Sequence, residues 1–216
     1  MISLLTDSRI IVFLLIFFLW ALAHSLLASL TIKDILRRRL GRYYHFYRVF
    51  YVVLSIVSLI ALFVLFPLPQ GRLYAFDGAL FYILKAIQTI ALVALLFTAT
   101  ISIEDDFLGL RAAKKFFSAR LDSNDTRPLR TSGIMGYSRH PLYFFITVLL
   151  WSDPQMTAAW FTVTLSFSIY FLIGSIFEER KLIFLYGDDY INYQKKVRRF
   201  IPLKKVHKRL RNERYS

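Results

Sequence analysis

Three long apolar runs constrain this chain more than any other feature of its sequence. They extend over about Arg9 to Leu30, Tyr47 to Phe66 and Ala79 to Ile103, and each supplies the ~20 residues that a helix needs to cross ~30 Å of hydrocarbon. The first run is too long for the core of a secretory signal, and no small-residue cleavage site follows it. We therefore interpret it as structure, and the sequence predicts an all-α integral membrane protein.

The last apolar region, Pro141 to Phe177, has a different pattern because a polar turn at residues 152–154 interrupts it. The part before the turn, Pro141 to Trp151, would form a helix only about 16 Å long at 1.5 Å per residue. The part after it, Met156 to Phe177, is long enough to span a membrane. This pattern predicts a hairpin of one short and one long helix, and five transmembrane helices in all.

The basic residues indicate how these helices are oriented. The chain has 28 lysines and arginines and a formal charge of +14. Residues 31–48 carry six of them, residues 104–140 carry seven, and the part from Glu178 onward carries twelve. With five spans, these three segments lie on one side, which the positive-inside rule makes cytoplasmic, with the N-terminus outside. The charge is thus explained by anionic headgroups; no nucleic-acid module is visible, so no nucleic-acid partner is expected.

Several kinds of site are excluded or disfavoured. Cysteine is absent, which removes disulfides, thiolate metal ligands and a cysteine nucleophile. The four histidines have no second ligand nearby in sequence, and no Gly-rich phosphate loop is present.

Two polar–apolar segments are expected to form helices at the cytoplasmic surface, Asp105 to Phe117 and Glu178 to Val197, the second broken at Gly187.

One candidate site lies in the stretch "GIMGYSRHPLYFF", Gly133 to Phe145, where the short helix begins. Proline suits the first helical turn because its missing N–H has no helical partner to lose there. The unpaired backbone N–H groups and the helix dipole make this end attractive to an anion. Arg139 and His140, directly before Pro141, would strengthen that attraction.

A second cluster, Glu178, Glu179 and Arg180, lies where the long helix is expected to leave the membrane. A hairpin would bring it to the same cytoplasmic mouth as the first cluster, so that a zwitterion with a positive centre and an aromatic base could bind between them. Ordinary boundary charges that reach headgroups are the alternative. His24, in the first span, is either functional or a neutral histidine bonded to a neighbouring helix.

Both clusters carry a family resemblance. "RPLRTSGIMGYSRHPLYFF" followed by "EERKLIFLYGDDYINYQKKVRRFIP" resembles the isoprenylcysteine carboxyl methyltransferase superfamily of membrane enzymes that use S-adenosylmethionine. The shared pattern is a Gly-rich turn, Arg-His-Pro-x-Tyr, a helical hairpin, Glu-Glu, Gly-x-x-Tyr-x-x-Tyr and Arg-x-x-Pro. "ALAHSLLAS", "DFLGLRAA" and "WSDPQMT" resemble methanethiol S-methyltransferases and NnrU-like proteins. The resemblance divides the chain into a three-helix membrane part (1–103), a cofactor-binding part (104–202) and a basic tail (203–216).

The resemblance implies specific roles for residues at the hairpin mouth. Glu178 would bind the cofactor's ammonium, and the remaining cofactor contacts would come from Leu129, Arg130, Met135, His140, Pro141, Leu142 and Tyr143. Arg139 and Glu179 are candidates for the chemistry, and His24 for binding the acceptor. Met135 departs from the family, which has tyrosine at this position; Tyr137, two residues on, is a candidate to replace it.

The resemblance further implies methyl transfer to a small apolar or lipid-like acceptor, with a thiol favoured. His24, Arg139 or Glu179 could assist deprotonation of a thiol, because the thiolate is the nucleophile. A carboxyl group of isoprenylcysteine type or a phospholipid amine is the alternative acceptor. A non-catalytic membrane protein on the same scaffold and a membrane reductase are the other classes left open.

Overall fold

A computed structural model describes residues 7–104 and 128–202, and helices dominate them. The predicted interfacial helix at residues 105–117 and the basic tail lie outside the described residues. Two short 3-10 turns, Gly41–Phe46 and Gly133–Gly136, accompany the helices. The helices are α1 Ser8–Ala28, α2 Leu30–Leu40, α3 Tyr47–Leu65, α4 Gly78–Glu104, α5 Pro141–Trp151, α6 Ala158–Tyr186 and α7 Asp188–Lys196.

Four helical stretches in the described ranges are long and apolar enough to cross a membrane: Ser8–Ala28, Leu30–Leu65, Gly78–Ile101 and Ala158–Tyr186. The second combines α2 and α3. The prediction of a mainly helical integral membrane protein is therefore confirmed. Helix α5, with 11 residues, is as short as predicted, and its role as a fifth span stays a prediction.

Helix α6 does not end where its apolar run ends. It continues past Phe177 to Tyr186 and stops only at Gly187, whose φ of 54° is a conformation that glycine adopts readily. The charged residues after Phe177 are good helix formers, so the change from apolar to charged residues does not end the helix. Glu178 and Glu179 consequently lie inside α6, and their side chains are held by a rigid element.

A short ribbon at the far end of the hairpin departs from the all-α prediction. Strand β1 (Arg72–Ala75) pairs antiparallel with β2 (Gln155–Thr157), which occupies the hairpin turn. The adjoining Phe76 N–H donates to the Pro154 carbonyl over 2.9 Å. These bonds satisfy backbone groups of the turn between α5 and α6, and they lie at the end opposite to the hairpin mouth.

The main apolar core joins α1, α3 and α6, with Phe13, Phe17, Leu62 and Val163 among its buried members. Trp20 Nε1 donates to Ser58 Oγ over 2.9 Å and ties α1 to α3. Gln88 Nε2 donates to the Leu149 carbonyl over 3.3 Å and ties α4 to α5. The N-terminal helices are thus packed against the hairpin, while the division of the chain into three parts stays a prediction.

Candidate active site

The start of α5 is positioned by the segment that follows α7. The N–H of Arg139 donates to the Arg198 carbonyl and the N–H of His140 donates to the Arg199 carbonyl, each over 2.9 Å. Ser138, which is fully buried, forms a parallel bridge with Arg198. These bonds anchor residues 138–140, and Pro141 then begins the helix at its first turn.

Glu179 is the centre of a buried polar network that we call the Glu179 cluster. Its side chain is only 3% exposed, and that of Arg139 is 8% exposed. Arg139 donates from Nε to Glu179 Oε1 over 2.8 Å and from Nη1 to the carbonyls of Gln194 and Val197. His140 Nε2, Gln194 Nε2 and Arg199 Nη2 also donate to the Glu179 carboxylate, at 3.3, 2.9 and 2.8 Å, and Arg199 Nε adds a bond of 3.2 Å.

Glu178, next to Glu179, has a different environment. Its side chain is 45% exposed, with Oε2 lying 3.5 Å from His140 Nδ1. The same oxygen accepts the Tyr143 hydroxyl hydrogen over 2.9 Å. We call His140, Tyr143 and Glu178 the hairpin mouth. The contacts described for the Glu178 carboxylate fall on Oε2, and nearly half of the side-chain surface is exposed.

The two sequence clusters therefore meet, as the hairpin prediction required. The expected position of a ligand needs correction, because His140 and Glu178 touch each other and leave no space for a zwitterion between them. The sequence could not show this contact, because it depends on the conformations of the His140 and Glu178 side chains.

His140 lies between the two carboxylates, with one ring nitrogen toward each. Burial alone would lower the pKa of His140, but hydrogen bonds to Glu178 and Glu179 and their negative charges outweigh burial and raise it. Its ring stacks on Tyr143, with centroids 5.2 Å apart and planes inclined by 11°. Tyr143 in turn stacks on Phe171 at 4.8 Å. The hairpin mouth is thus backed by three consecutive rings.

The other predicted cofactor residues lie along the turn before α5. Leu129 packs against the apolar cluster of Tyr190, Tyr193 and Val197. The Tyr193 hydroxyl donates to the Met135 carbonyl. Burial raises the pKa of Tyr193 to about 12, so the phenol remains a donor. Arg130 is exposed and Leu142 is half-buried.

The bond from Tyr193 therefore holds the backbone of Met135 and does not involve its side chain. Tyr137, considered as a replacement for the tyrosine expected there, is 47% exposed. Its role toward a cofactor stays a prediction.

His24 lies in α1 and is hydrogen-bonded at both ring nitrogens, to Tyr51 at 2.6 Å and to Ser55 at 2.9 Å. This matches the alternative of a histidine bonded to a neighbouring helix, and its role toward a substrate stays a prediction. Within residues 7–104 and 128–202, no group of three His, Cys, Asp or Glu side chains could hold a metal ion.

Sequence reasoning missed several residues that build the site. Gln194 and Val197 carry no motif of their own, and Phe171 resembles the other aromatic residues of its span. Arg199 had a signal, since it opens the Arg-x-x-Pro ending that is part of the family pattern. The family pattern includes Arg199 but does not indicate what it contacts, and the structure shows that it pairs with Glu179.

Comparison with known proteins bears on this segment. The sequence model of the Isoprenylcysteine carboxyl methyltransferase (ICMT) family matches residues 106–183, which include the hairpin mouth and Glu179. The Methanethiol S-methyltransferase of Pseudomonas deceptionensis is 37% identical over 73 residues, 34% of this chain and 28% of that protein. The Methanethiol S-methyltransferase of Crocosphaera subtropica is 32% identical over 99 residues, 45% of this chain and 37% of that protein.

A relative of another type matches as well. The Protein-S-isoprenylcysteine O-methyltransferase of Schizosaccharomyces pombe is 41% identical over 86 residues, 37% of this chain and 35% of that protein. The matches thus span only part of each relative, 28% of the Pseudomonas protein and 37% of the Crocosphaera protein. No solved structure matches this chain. These matches agree with the resemblance predicted from the sequence: residues 106–183 are similar to the isoprenylcysteine carboxyl methyltransferase family, and the relatives that match include methanethiol S-methyltransferases.

Proposed function

We propose that this protein is a membrane methyltransferase that uses S-adenosylmethionine to methylate a small apolar or lipid-like acceptor, with a thiol favoured. The observation that carries the proposal is the hairpin mouth. There a half-exposed carboxylate, Glu178, is fixed by Tyr143 and His140 within the segment that matches the family. The curated relatives named above supply the choice of a thiol.

The residues present fit S-adenosylmethionine. Glu178 offers its half-exposed carboxylate to an ammonium group, and a carboxylate near a cation gives a charge-assisted bond. The backbone N–H groups of Leu142 and Tyr143 in the first turn of α5, together with Arg130, favour a carboxylate group. The aromatic faces at the mouth tolerate a sulfonium. When bound, this cofactor supplies a methyl group activated for displacement.

The remaining predicted contacts, Leu129 and Met135, would cover the apolar side of the ligand. Both belong to the turn that α7 holds in place, Leu129 by packing and Met135 through its carbonyl. These contacts hold the turn in one arrangement, which supports its use as a binding surface, since a preformed site loses less entropy on binding.

Arg139 and Glu179 have a geometry that favours a positioning role. Each is buried and is hydrogen-bonded to the other and to residues of α7 and of the segment after it. We propose that the pair fixes His140, which also contacts Glu179, and thereby orients the hairpin mouth. Their direct participation in the chemistry stays a prediction.

We further propose that the mouth faces the cytoplasm, with the N-terminus outside and α5 counted as a fifth span. The distribution of lysine and arginine supports this orientation. A site at this depth would let an apolar acceptor arrive from the lipid while the cofactor arrives from water.

A carboxyl acceptor is the second candidate. The matched fission yeast relative is by name a protein-S-isoprenylcysteine O-methyltransferase, so a prenylated cysteine carboxylate is a specific alternative. A phospholipid amine is less favoured, because none of the relatives named above is called an N-methyltransferase.

Binding of S-adenosylmethionine to the purified protein, measured by calorimetry, tests the proposal. We expect binding by the wild type, and a loss of affinity of at least ~10-fold in Glu178→Ala and His140→Ala, about the effect of removing one charge-assisted bond. Asp189→Asn, an exposed acidic position on α7, is the control and should bind normally. Absence of binding by the wild type would support a non-catalytic protein on this scaffold.

A further inference from the structure

The hydrogen bonds around His24 form an ordered network inside the membrane part. His24 Nε2 lies 2.6 Å from the Tyr51 hydroxyl oxygen, and Nδ1 lies 2.9 Å from Ser55 Oγ. The ring is covered by Trp20, which stacks on it with centroids 5.2 Å apart. An ionisable side chain at such a depth is costly unless it is satisfied, and it commonly serves a function.

The direction of these bonds fixes the tautomer of His24. Ser55 Oγ lies 2.7 Å from the Tyr51 carbonyl, which can only accept, so the single hydroxyl hydrogen of Ser55 is committed there. Toward His24, Ser55 must therefore accept, and Nδ1 carries the hydrogen. Nε2 then has a free lone pair that accepts the Tyr51 hydroxyl hydrogen. Tyr51 and His24, which we call the relay pair, are thus arranged as a phenol already bonded to a base.

The relay pair is connected to the hairpin mouth by an unbroken series of rings. The His24 ring lies 6.2 Å from that of Tyr170, and Tyr170 lies 5.9 Å from Phe171. Phe171 stacks on Tyr143 at 4.8 Å, and the Tyr143 hydroxyl binds Glu178. Consecutive residues of α6, Tyr170 and Phe171, therefore link the apolar interior to the site proposed for the cofactor.

The chemical character of this region suits an uncharged, weakly acidic acceptor. Among residues 7–104 and 128–202, the groups that face His24 are Tyr51 and Ser55 from α3, Tyr170 from α6 and Trp20 from its own helix. All of them are neutral, so an anionic acceptor would gain no ion pair there. A neutral thiol could give a proton to this network and would need to do so, because only its thiolate attacks readily.

We propose that the relay pair is the proton acceptor for a thiol acceptor, an inference that rests on the proposed function. The S–H bond breaks, its proton passes to the Tyr51 oxygen, and the electron pair stays on sulfur. In the same step the Tyr51 hydroxyl hydrogen passes to His24 Nε2, which yields an imidazolium beside the thiolate. The proton leaves His24 for water after the thioether product departs.

Two thiols that differ in acidity test the relay. One is an alkanethiol, neutral at the assay pH, and the other is an aromatic thiol that is already ionised there. Tyr51→Phe, which keeps the ring against His24, should reduce methylation of the alkanethiol by ~100-fold and that of the aromatic thiol by less than about threefold, as expected for loss of general-base assistance. His24→Gln should show the same selectivity.

A matched control lies one helical turn away on α3. Tyr47 also donates its hydroxyl, but to the Leu27 carbonyl at 2.6 Å and outside the relay. Tyr47→Phe should methylate both thiols at the wild-type rate. Equal losses with the two thiols in Tyr51→Phe and His24→Gln would overturn the inference while leaving the methyltransferase proposal intact. A wild type that methylates neither thiol would overturn both.

A second readout needs no turnover. The ¹⁵N resonances of the His24 imidazole should show a protonated Nδ1 and an unprotonated Nε2, and Tyr51→Phe should shift Nε2 alone by removing its donor. The opposite tautomer in the wild type would overturn the relay.

Discussion

Replacing Glu179 by alanine should destabilise the protein far more than altering its neighbour Glu178. The substitution removes the partner of Arg139, whose side chain is 8% exposed. Arg139 keeps its two bonds to the backbone carbonyls of Gln194 and Val197, but its charge stays buried without a counter-ion. The Arg199 side chain is 37% exposed, so its charge can be solvated by water after the substitution and adds little to the loss of stability. Breaking such a buried pair costs about 3–5 kcal/mol.

Glu178→Gln is the matched comparison, because the two glutamates are adjacent on one helix. The Glu178 side chain is 45% exposed, and glutamine keeps an oxygen that can accept the Tyr143 hydroxyl hydrogen. We expect a loss of stability below about 1 kcal/mol, as for other exposed charges, together with weakened binding of S-adenosylmethionine.

Urea unfolding in detergent, followed by tryptophan fluorescence, measures both differences. Amide hydrogen exchange adds a local readout, since Glu179→Ala should speed exchange at residues 138–140 and 194–199. A loss of stability below about 1 kcal/mol in Glu179→Ala would refute the view that the Glu179 cluster holds the site together. So would an equal loss in both variants.

Two further predictions follow from single residues. The pKa of His140 is raised in the folded protein. The ion pairs of His140 therefore stabilise the fold fully below the unfolded pKa of about 6.5, and this stabilisation is lost as pH rises through the folded pKa. The stability advantage of the wild type over His140→Gln should shrink from about pH 6 upward, and an advantage that grows with pH would contradict this prediction. Gly187→Ala should cost about 1–3 kcal/mol because φ is 54° and ψ is −129°, a backbone conformation that residues with a Cβ rarely adopt, although the added Cβ meets nothing within 4 Å. Its control, Gly174→Ala within α6, should instead stabilise by about 0.5–1 kcal/mol, as measured by the same unfolding assay.

Much of the helical framework follows from residue patterns. The bounds of α3 and α5 agree closely with the prediction because an apolar run and a proline mark them locally. The predicted break at Gly187 is confirmed, but the span was expected to end at Phe177, because the change from apolar to charged residues marks the membrane boundary and not the end of the helix. The β1–β2 ribbon was missed because strands of four and three residues pair only through a long-range contact.

The contacts of the site likewise include some that the sequence predicts and some that it does not. The hairpin prediction placed Glu178 and His140 on the same side of the membrane, and the structure brings them into contact. The partners of Glu179 were beyond reach, since Gln194 and Arg199 approach it only after α7 folds back and the segment beyond it bonds to residues 138–140. Sequence spacing carries no record of such a contact.

The bridge between Ser138 and Arg198 also has a consequence for biosynthesis. A chain leaves the ribosome from its N-terminus, and its earlier parts fold first. The helices from α1 to α6 are therefore available for insertion before residues 194–199 exist. Until those residues arrive, Glu179 lacks Gln194 and Arg199, and His140 lacks the carbonyl that anchors its backbone. The membrane framework is thus built first, and the hairpin mouth takes its final shape last.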